Sequence, residues 1–262
     1  MHRFFVSPEE ISQEGANHHL AHLNGEEFKH LSRVLRLQQG EEVTLFDGRG
    51  WEYTGEIISL QKDEALIRIK DSHFLPRESS LDVWLVQGIP KGEKMELIIQ
   101  KATELGIRGI IPLKTQRCIV KLDQKKEVER RKRWQKVALE AVKQCGRSLI
   151  PTVMPSCTLQ EFLRDLPPQR QLYIPWEEGG ASFKEELKKA FAEVPGLETE
   201  RGKVKTPVFL VIGPEGGFAE EEVLLVQNYG GIAVSLGPRI LRTETAGIAA
   251  LAALMFAWGD WG

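Results

Sequence analysis

The run VFLVIGPEGGF at residues 208–218 decides how this chain folds. Five apolar residues in a row, three of them β-branched, are too few for an ordinary helix. They are also too uniform for a strand with one wet face, so they fit a strand covered on both sides. The glycines that follow end the strand and let a ligand come close to the backbone. Working outward, the same rhythm recurs. Apolar strands are predicted at residues 82–89, 107–113, 171–174 and 232–236, and helices at 94–105, 126–145, 219–229 and 243–258. Gly106 and Gly146 close two of these helices, and the pairs Thr158/Glu161 and Ser182/Glu185 have capping-box spacing, which places helix starts there. Alternating strand and helix predict an α/β fold with a mainly parallel sheet covered on both faces.

The N-terminal part has a different rhythm. Short strands are predicted at residues 42–46, 53–60 and 65–69, separated by the turns Asp47-Gly48-Arg49-Gly50 and Gln61-Lys62-Asp63. A helix over residues 25–37 interrupts them, with Phe28, Leu31, Val34, Leu35 and Leu37 on its apolar face. Several strands and one helix in this length predict a small β-barrel, joined through a linker at residues 76–80. With 262 residues two domains are expected, here 1–75 and 76–262. Residues 195–206 are polar and read as an exposed loop. The last helix is apolar all round, which calls for central packing, a subunit interface, or both.

Composition excludes several classes. Three cysteines without a C-x-x-C pair argue against a disulfide framework and a zinc ribbon and suit a reducing cytosol, so a cytoplasmic protein is expected. MHRFFVSPEE has no apolar core of signal-peptide length, and the longest apolar run, 246–258, is short of the roughly 20 residues that span a bilayer. No membrane association is expected. All six histidines lie within the first 73 residues, which leaves the α/β part without a histidine for a Ser-His-Asp or Cys-His arrangement of its own. His18 and His22 are spaced i, i+4 without the H-E-x-x-H glutamate, so no metal site is expected. The net charge is only −2, yet residues 117–147 hold eleven Lys/Arg against four Asp/Glu. Such a segment is what a phosphate-binding face looks like, and also what a solvated helix laced with ion pairs looks like.

Two loops follow the C-terminal ends of predicted strands, where ligands bind in open α/β sheets. One is GPEGGF at 213–218; the other is LGPRILRTETA at 236–246. Neither has the spacing of a P-loop or of a dinucleotide fingerprint. Glu215 would repel a phosphate, so a ligand with a cationic centre and an adenosine, such as S-adenosylmethionine, fits better.

LGPRILRTETA and IGPEGGF together resemble the 16S ribosomal RNA uridine-N3 methyltransferase family, RsmE, within the knotted SPOUT class. Further matches are GEKMELIIQKATELGI at 92–107, Arg117-Cys118 with Lys121-Leu122, and Gln144-Cys145-Gly146-Arg147. His30 with Arg33-Val34-Leu35-Arg36, Phe46-Asp47-Gly48 and the terminal Gly259-Asp260-Trp261-Gly262 also match, whereas 123–133 and 176–206 match no motif of the family. The resemblance implies a PUA-like β-barrel followed by a SPOUT domain, a parallel sheet whose C-terminal chain threads a trefoil knot. It also implies a homodimer, S-adenosylmethionine as cofactor, and 16S rRNA or the small ribosomal subunit as partner. Residue by residue it puts Ile212, Gly213, Pro214, Glu215 and Gly216 on one side of the cofactor and Leu236, Gly237, Ile240, Leu241, Thr243 and Thr245 on the other. Ile174 and Pro175 form a third wall.

A uridine ring nitrogen is a poor nucleophile until its proton leaves, and the resulting charge spreads over two carbonyl oxygens. A fixed cation nearby favours that anion, and arginine presents one on a rigid fork of donors. The candidates are Arg242 and Arg147, with Glu244 accepting the proton directly or through water. Arg242 and Glu244 also fit a plain helix N-terminus with a local ion pair. For RNA grip the candidates are Lys29, His30, Arg33 and Arg36 in the barrel, with Arg117 and Lys121. Two alternatives stay open: a SPOUT enzyme acting on another atom such as a ribose hydroxyl, and a non-catalytic RNA-binding assembly factor.

Overall fold

The computed structural model describes residues 2–14, 18–74, 78–79, 81–118, 124–193 and 206–261. Of the expected features, Lys121, most of the 195–206 loop, and Pro76, Arg77 and Ser80 of the linker lie outside the described residues. Contacts divide the chain into two compact units, 1–78 with 142–150, and 79–141 with 151–262.

The first unit is a six-stranded sheet of β1 (Arg3–Phe5), β2 (Ile11–Glu14), β3 (His18–Asn24), β4 (Glu42–Phe46), β5 (Trp51–Leu60) and β6 (Glu64–Phe74), in the order β1-β4-β5-β6-β3-β2. All pairs are antiparallel except β1 with β4. Register shifts interrupt the β5–β6 ladder at Thr54/Gly55 and at Ile57/Ser59; irregularities of this kind bend a strand. Phe4, Leu23, Val43, Leu45, Ile57 and Ile67 form the core. The first three strands were not anticipated, because three histidines in β3 dilute the alternation that sends Ala21 and Leu23 inward. The expected 25–37 helix is shorter and changes form: α1 (Gly25–Lys29) widens into a π-helical turn, His30–Val34, and Arg36 takes a left-handed φ of 54°. That turn leaves Lys29, Arg33 and Arg36 exposed and His30 half-buried, its ring edge-on to Phe4.

Residues 142–150 join this unit through specific bonds. Gly50 N–H donates to Ser148 O at 3.2 Å, Ile150 N–H donates to Gly48 O at 3.2 Å, and Arg3 Nη1 donates to Val142 O at 3.2 Å. The division is therefore not the single cut after residue 75 that the linker composition suggested.

The second unit alternates strand and helix: β7 (Val83–Gly88), α2 (Lys94–Glu104), β8 (Gly109–Lys114), α3 (Gln124–Cys145, up to Ala141), β9 (Thr152–Val153), β10 (Cys157–Thr158), α4 (Leu159–Arg164), β11 (Gln171–Pro175), β12 (Ala181–Ser182), α5 (Phe183–Glu193), β13 (Val208–Ile212), α6 (Glu220–Asn228), β14 (Ile232–Ser235) and α7 (Thr243–Trp258). The sheet is parallel throughout, in the order β10-β8-β7-β13-β11-β14-β12 with β9 on β8. Thr158 and Glu161 form the predicted capping box.

Every residue of β13 is buried, and its side chains alternate between two cores. Val208, Leu210 and Ile212 pack with α2, α5 and α7, while Phe209 and Val211 pack with α4 and α6. This is why the deciding strand reads as uniformly apolar. Leu251, Leu254, Met255 and Trp258 bury one side of α7, but Thr245, Ala249 and Phe256 of the same helix stay exposed, Phe256 at 76%.

Candidate active site

The C-terminal ends of β13, β11 and β14 lie side by side, and the loops leaving them enclose a cavity of about 400 Å³, a size ordinary for a small-molecule site. From the β13 loop come Ile212, Gly213, Pro214, Glu215, Gly217 and Phe218; from the end of β11 come Pro175, Trp176 and Glu177. The β14 loop and the start of α7 give Ser235, Leu236, Gly237, Arg239, Ile240, Leu241, Arg242, Thr243 and Ala246, and α2 contributes Lys94. The two loops marked in the sequence are thus brought together, although β13 and β14 are not paired; β11 separates them.

Ten of the expected cofactor residues line this cavity. Ile174, Gly216 and Thr245 do not. Ile174 is fully buried in the core under α4 and α6, Gly216 gives its carbonyl to Arg117 Nη1 at 3.0 Å, and Thr245 lies on the exposed side of α7. Arg117 is exposed and packs over the β13 loop: a Cβ on Gly216 would stand 3.2 Å from its Cβ.

A buried polar clip holds the two loops together. Thr243 Oγ1 donates to Gly213 O at 2.5 Å, and Gln87 Nε2 donates to Thr243 Oγ1 at 2.8 Å and to Gly88 O at 3.0 Å. The amide orientation of Gln87 follows from Gly88 O, which can only accept. Close approach sets Gly88: a Cβ there would meet Pro214 N at 2.6 Å. Gln87 was not singled out in the sequence, though one amide in the apolar strand VWLVQG was the available signal.

The charges are arranged unevenly. Lys94 Nζ lies 2.9 Å from Glu215 Oε1 and 3.6 Å from Glu244 Oε2, and Glu215 also accepts from Lys91 N–H at 3.1 Å. Burial alone would raise the Glu215 carboxyl, but its bonds with Lys94 and with backbone N–H groups outweigh this and hold it below the usual carboxylate range. The hydrogen bond with Glu215 in turn holds Lys94 above the ordinary lysine value. Glu244 is not on the cavity wall; its Oε2 is buried behind Lys94 with no hydrogen bond. Arg242, also on the lining, is exposed at the N-cap of α7, and among the described residues its guanidinium has no hydrogen-bond or ion-pair partner.

Arg147 occupies a different setting. It belongs to the first unit and is 7% exposed; its Nε and Nη2 donate to Glu78 Oε2 at 3.0 and 2.6 Å, while Ser148 and Leu149 N–H donate to Glu78 Oε1 at 3.0 Å each. A guanidinium committed to a half-buried carboxylate in this way is a structural clamp, and Arg147 is not among the residues lining the cavity. Lys94, Trp176, Glu177 and Arg239, which do line it, were not picked from the sequence.

The residues present fit S-adenosylmethionine. Glycine backbone and apolar side chains suit an adenosine, the carboxylates suit a sulfonium, and no phosphate-binding loop is present. A family profile described as an RNA methyltransferase domain matches residues 77–255, and one described as an RNA methyltransferase PUA domain matches 23–70. The Bacillus subtilis protein named Ribosomal RNA small subunit methyltransferase E is 36% identical over 89% of this chain and 89% of its own length. The crystal structure of a Ribosomal RNA small subunit methyltransferase E from Neisseria gonorrhoeae, bound to S-adenosyl methionine, superposes with a TM-score of 0.84 at 31% identity, covering 100% of both chains. A Legionella pneumophila protein in complex with the cofactor SAM superposes with a TM-score of 0.83 at 36% identity, covering 98% of both. On the order of its motifs, the two-unit fold and these likenesses, this chain belongs to the ribosomal RNA small subunit methyltransferase E family.

Proposed function

We propose that the chain transfers a methyl group from S-adenosylmethionine to ring N3 of a uridine in 16S rRNA. The observation that carries this reading is the cavity between the β13 and β14 loops, with Arg242 on its lining and without an ion-pair partner among the described residues. The cofactor supplies an electrophilic methyl group. Gly213, Gly217 and Gly237 admit it against backbone, Ile212, Leu236 and Leu241 exclude water, and the Gln87–Thr243–Gly213 clip keeps the two loops at fixed separation. Arg242 faces the carbonyl oxygens on which charge gathers as the N3 proton departs to water. Glu244 holds the Lys94 ammonium rather than meeting the base, since its Oε2 is sealed behind that side chain.

In this reading Lys29, His30, Arg33 and Arg36 grip the phosphate backbone from the π-helical turn and its two flanks, and Arg117 does so beside the cofactor loop. The basic helix α3 spends part of its charge internally, Arg133 on Glu93 and Glu96 and Arg131 on Val153 O. A second copy of the chain covers Ala249 and Phe256 on the open side of α7, and the C-terminal chain forms the knot of the SPOUT class. No metal takes part, and the site of action is the cytoplasm, in keeping with three cysteines that form no disulfide. No helix among the described residues is long and apolar enough to cross a membrane.

Incubating small-subunit rRNA with the purified chain and labelled cofactor, then analysing nucleosides by mass spectrometry, tests the reading. Label in 3-methyluridine is expected. Label in a 2′-O-methylribose moves the target to a hydroxyl, and absence of label with intact RNA binding favours an assembly factor. Replacing Arg33 and Arg36 together by alanine is expected to weaken RNA binding and reduce the slope of log affinity against log salt by up to about two phosphate contacts. An unchanged slope removes both from the footprint.

A further inference from the structure

Three segments far apart in sequence meet at one ammonium group. Lys94 opens α2, Glu215 sits in the loop after β13, and Glu244 lies in the first turn of α7. The Lys94 Nζ contacts at 2.9 and 3.6 Å tie all three together, with Lys94 and Glu215 on the cavity lining and Glu244 behind them. Two carboxylates around one ammonium leave the cluster with a net formal charge of −1, and Glu177, also on the lining, adds a further carboxylate beside Gly217. Arg239 and Arg242 also line the cavity, neither with a hydrogen-bond or ion-pair partner among the described residues. The lining therefore carries both signs of charge.

A plain strut between loops needs one carboxylate for one ammonium. Here there is an excess carboxylate, and Glu244 Oε2 is buried without a hydrogen bond; an acceptor left in that state asks for an explanation beyond packing. A cationic ligand on the cavity side of the cluster supplies one, because it balances the charge that Lys94 alone does not.

We propose that the Lys94–Glu215–Glu244 cluster reads the charge of the cofactor and thereby sets the preference of the site for the methyl donor over the spent product. The inference rests on the methyltransferase reading above. On transfer the S–CH3 bond breaks with its electron pair left on sulfur, the N3–CH3 bond forms, and the N3 proton goes to water. The sulfonium cation thus becomes the neutral thioether of S-adenosylhomocysteine. The two nucleosides differ by one methyl group and one positive charge, so a wall of fixed negative charge separates them where shape scarcely does. Lys94 is the positioning residue: it pairs with both carboxylates, Glu215 on the lining and Glu244 behind it, and cancels one of their two charges.

The test is calorimetric affinity for S-adenosylmethionine and for S-adenosylhomocysteine on the full chain, with no RNA and no turnover. Glu215→Gln takes the formal charge of the cluster from −1 to zero, and it is expected to lower the donor-to-product affinity ratio roughly three- to tenfold, as partly exposed charge pairs do. Lys94→Met takes it to −2 and is expected to raise the ratio by a similar factor, while Lys94→Arg leaves it near the wild-type value. Affinity for the neutral product reports in each variant that the cavity has folded. Movement in opposite directions supports charge reading, because a merely structural role moves both variants the same way. A ratio that stays constant, or falls in both, overturns the inference and leaves the cofactor assignment standing. A wild-type chain that binds neither nucleoside overturns the cofactor assignment and this inference together.

Discussion

Arg242→Ala is expected to lower turnover by about two to three orders of magnitude, the usual consequence of removing one donor from a developing anion, while the dissociation constant of S-adenosylmethionine changes less than about threefold. The asymmetry follows from placement. The residue lies at the N-cap of α7, makes no side-chain capping bond, and presents a guanidinium without a partner among the described residues. The cap role that the sequence also allowed is carried by the backbone, since Arg242 O accepts from Ala246 N–H at 2.8 Å. The variant therefore loses no side-chain hydrogen bond or ion pair among the described residues. Single-turnover methylation with cofactor binding measured in parallel gives the answer. If affinity and rate fall by the same factor, Arg242 holds the cofactor and the cation facing the base is another residue.

Arg147→Ala is expected to act on stability instead. Removing one partner of a buried ion pair costs about 3–5 kcal/mol, and two backbone N–H groups remain to satisfy Glu78, which places the loss near the lower end. For a protein of this size that is a fall in unfolding temperature of roughly 6–12 °C. Differential scanning calorimetry of Arg147→Ala and Glu78→Gln is expected to show both destabilised, with cofactor affinity of the folded protein retained below the transition. A variant that unfolds at the wild-type temperature yet turns over no substrate would return Arg147 to the chemistry.

The contrast between these arginines shows what was legible in the sequence. Both stand beside family motifs, and the sequence offered both as the cation. Neighbours along the chain cannot tell a guanidinium that meets Glu78, almost seventy residues upstream, from one that meets nothing. The α/β rhythm was legible because burial on both faces imposes uniform apolar runs such as the β13 segment. The pairing of the two loops was legible because glycine and proline mark strand exits. Lys94 was not: a lysine at the start of an amphipathic helix reads as a solvated charge, and only the meeting of α2 with two distant loops puts it on the wall. Trp176 and Glu177 were missed for a related reason, since they come directly after a third strand whose glycines, Gly179 and Gly180, lie beyond them.

The nine residues 142–150 that join the N-terminal sheet have a consequence for dissection of the molecule. Lys143 pairs with Glu27, Arg147 with Glu78, and the 48–50 turn is hydrogen-bonded to the 148–150 backbone. A fragment ended at residue 75 leaves Glu27 without Lys143 and the 48–50 turn without the 148–150 backbone, whereas the Arg147–Glu78 pair stays with the remainder. The two halves therefore do not behave as interchangeable modules in a chimera, and separating RNA affinity from cofactor affinity calls for point substitutions in the intact polypeptide.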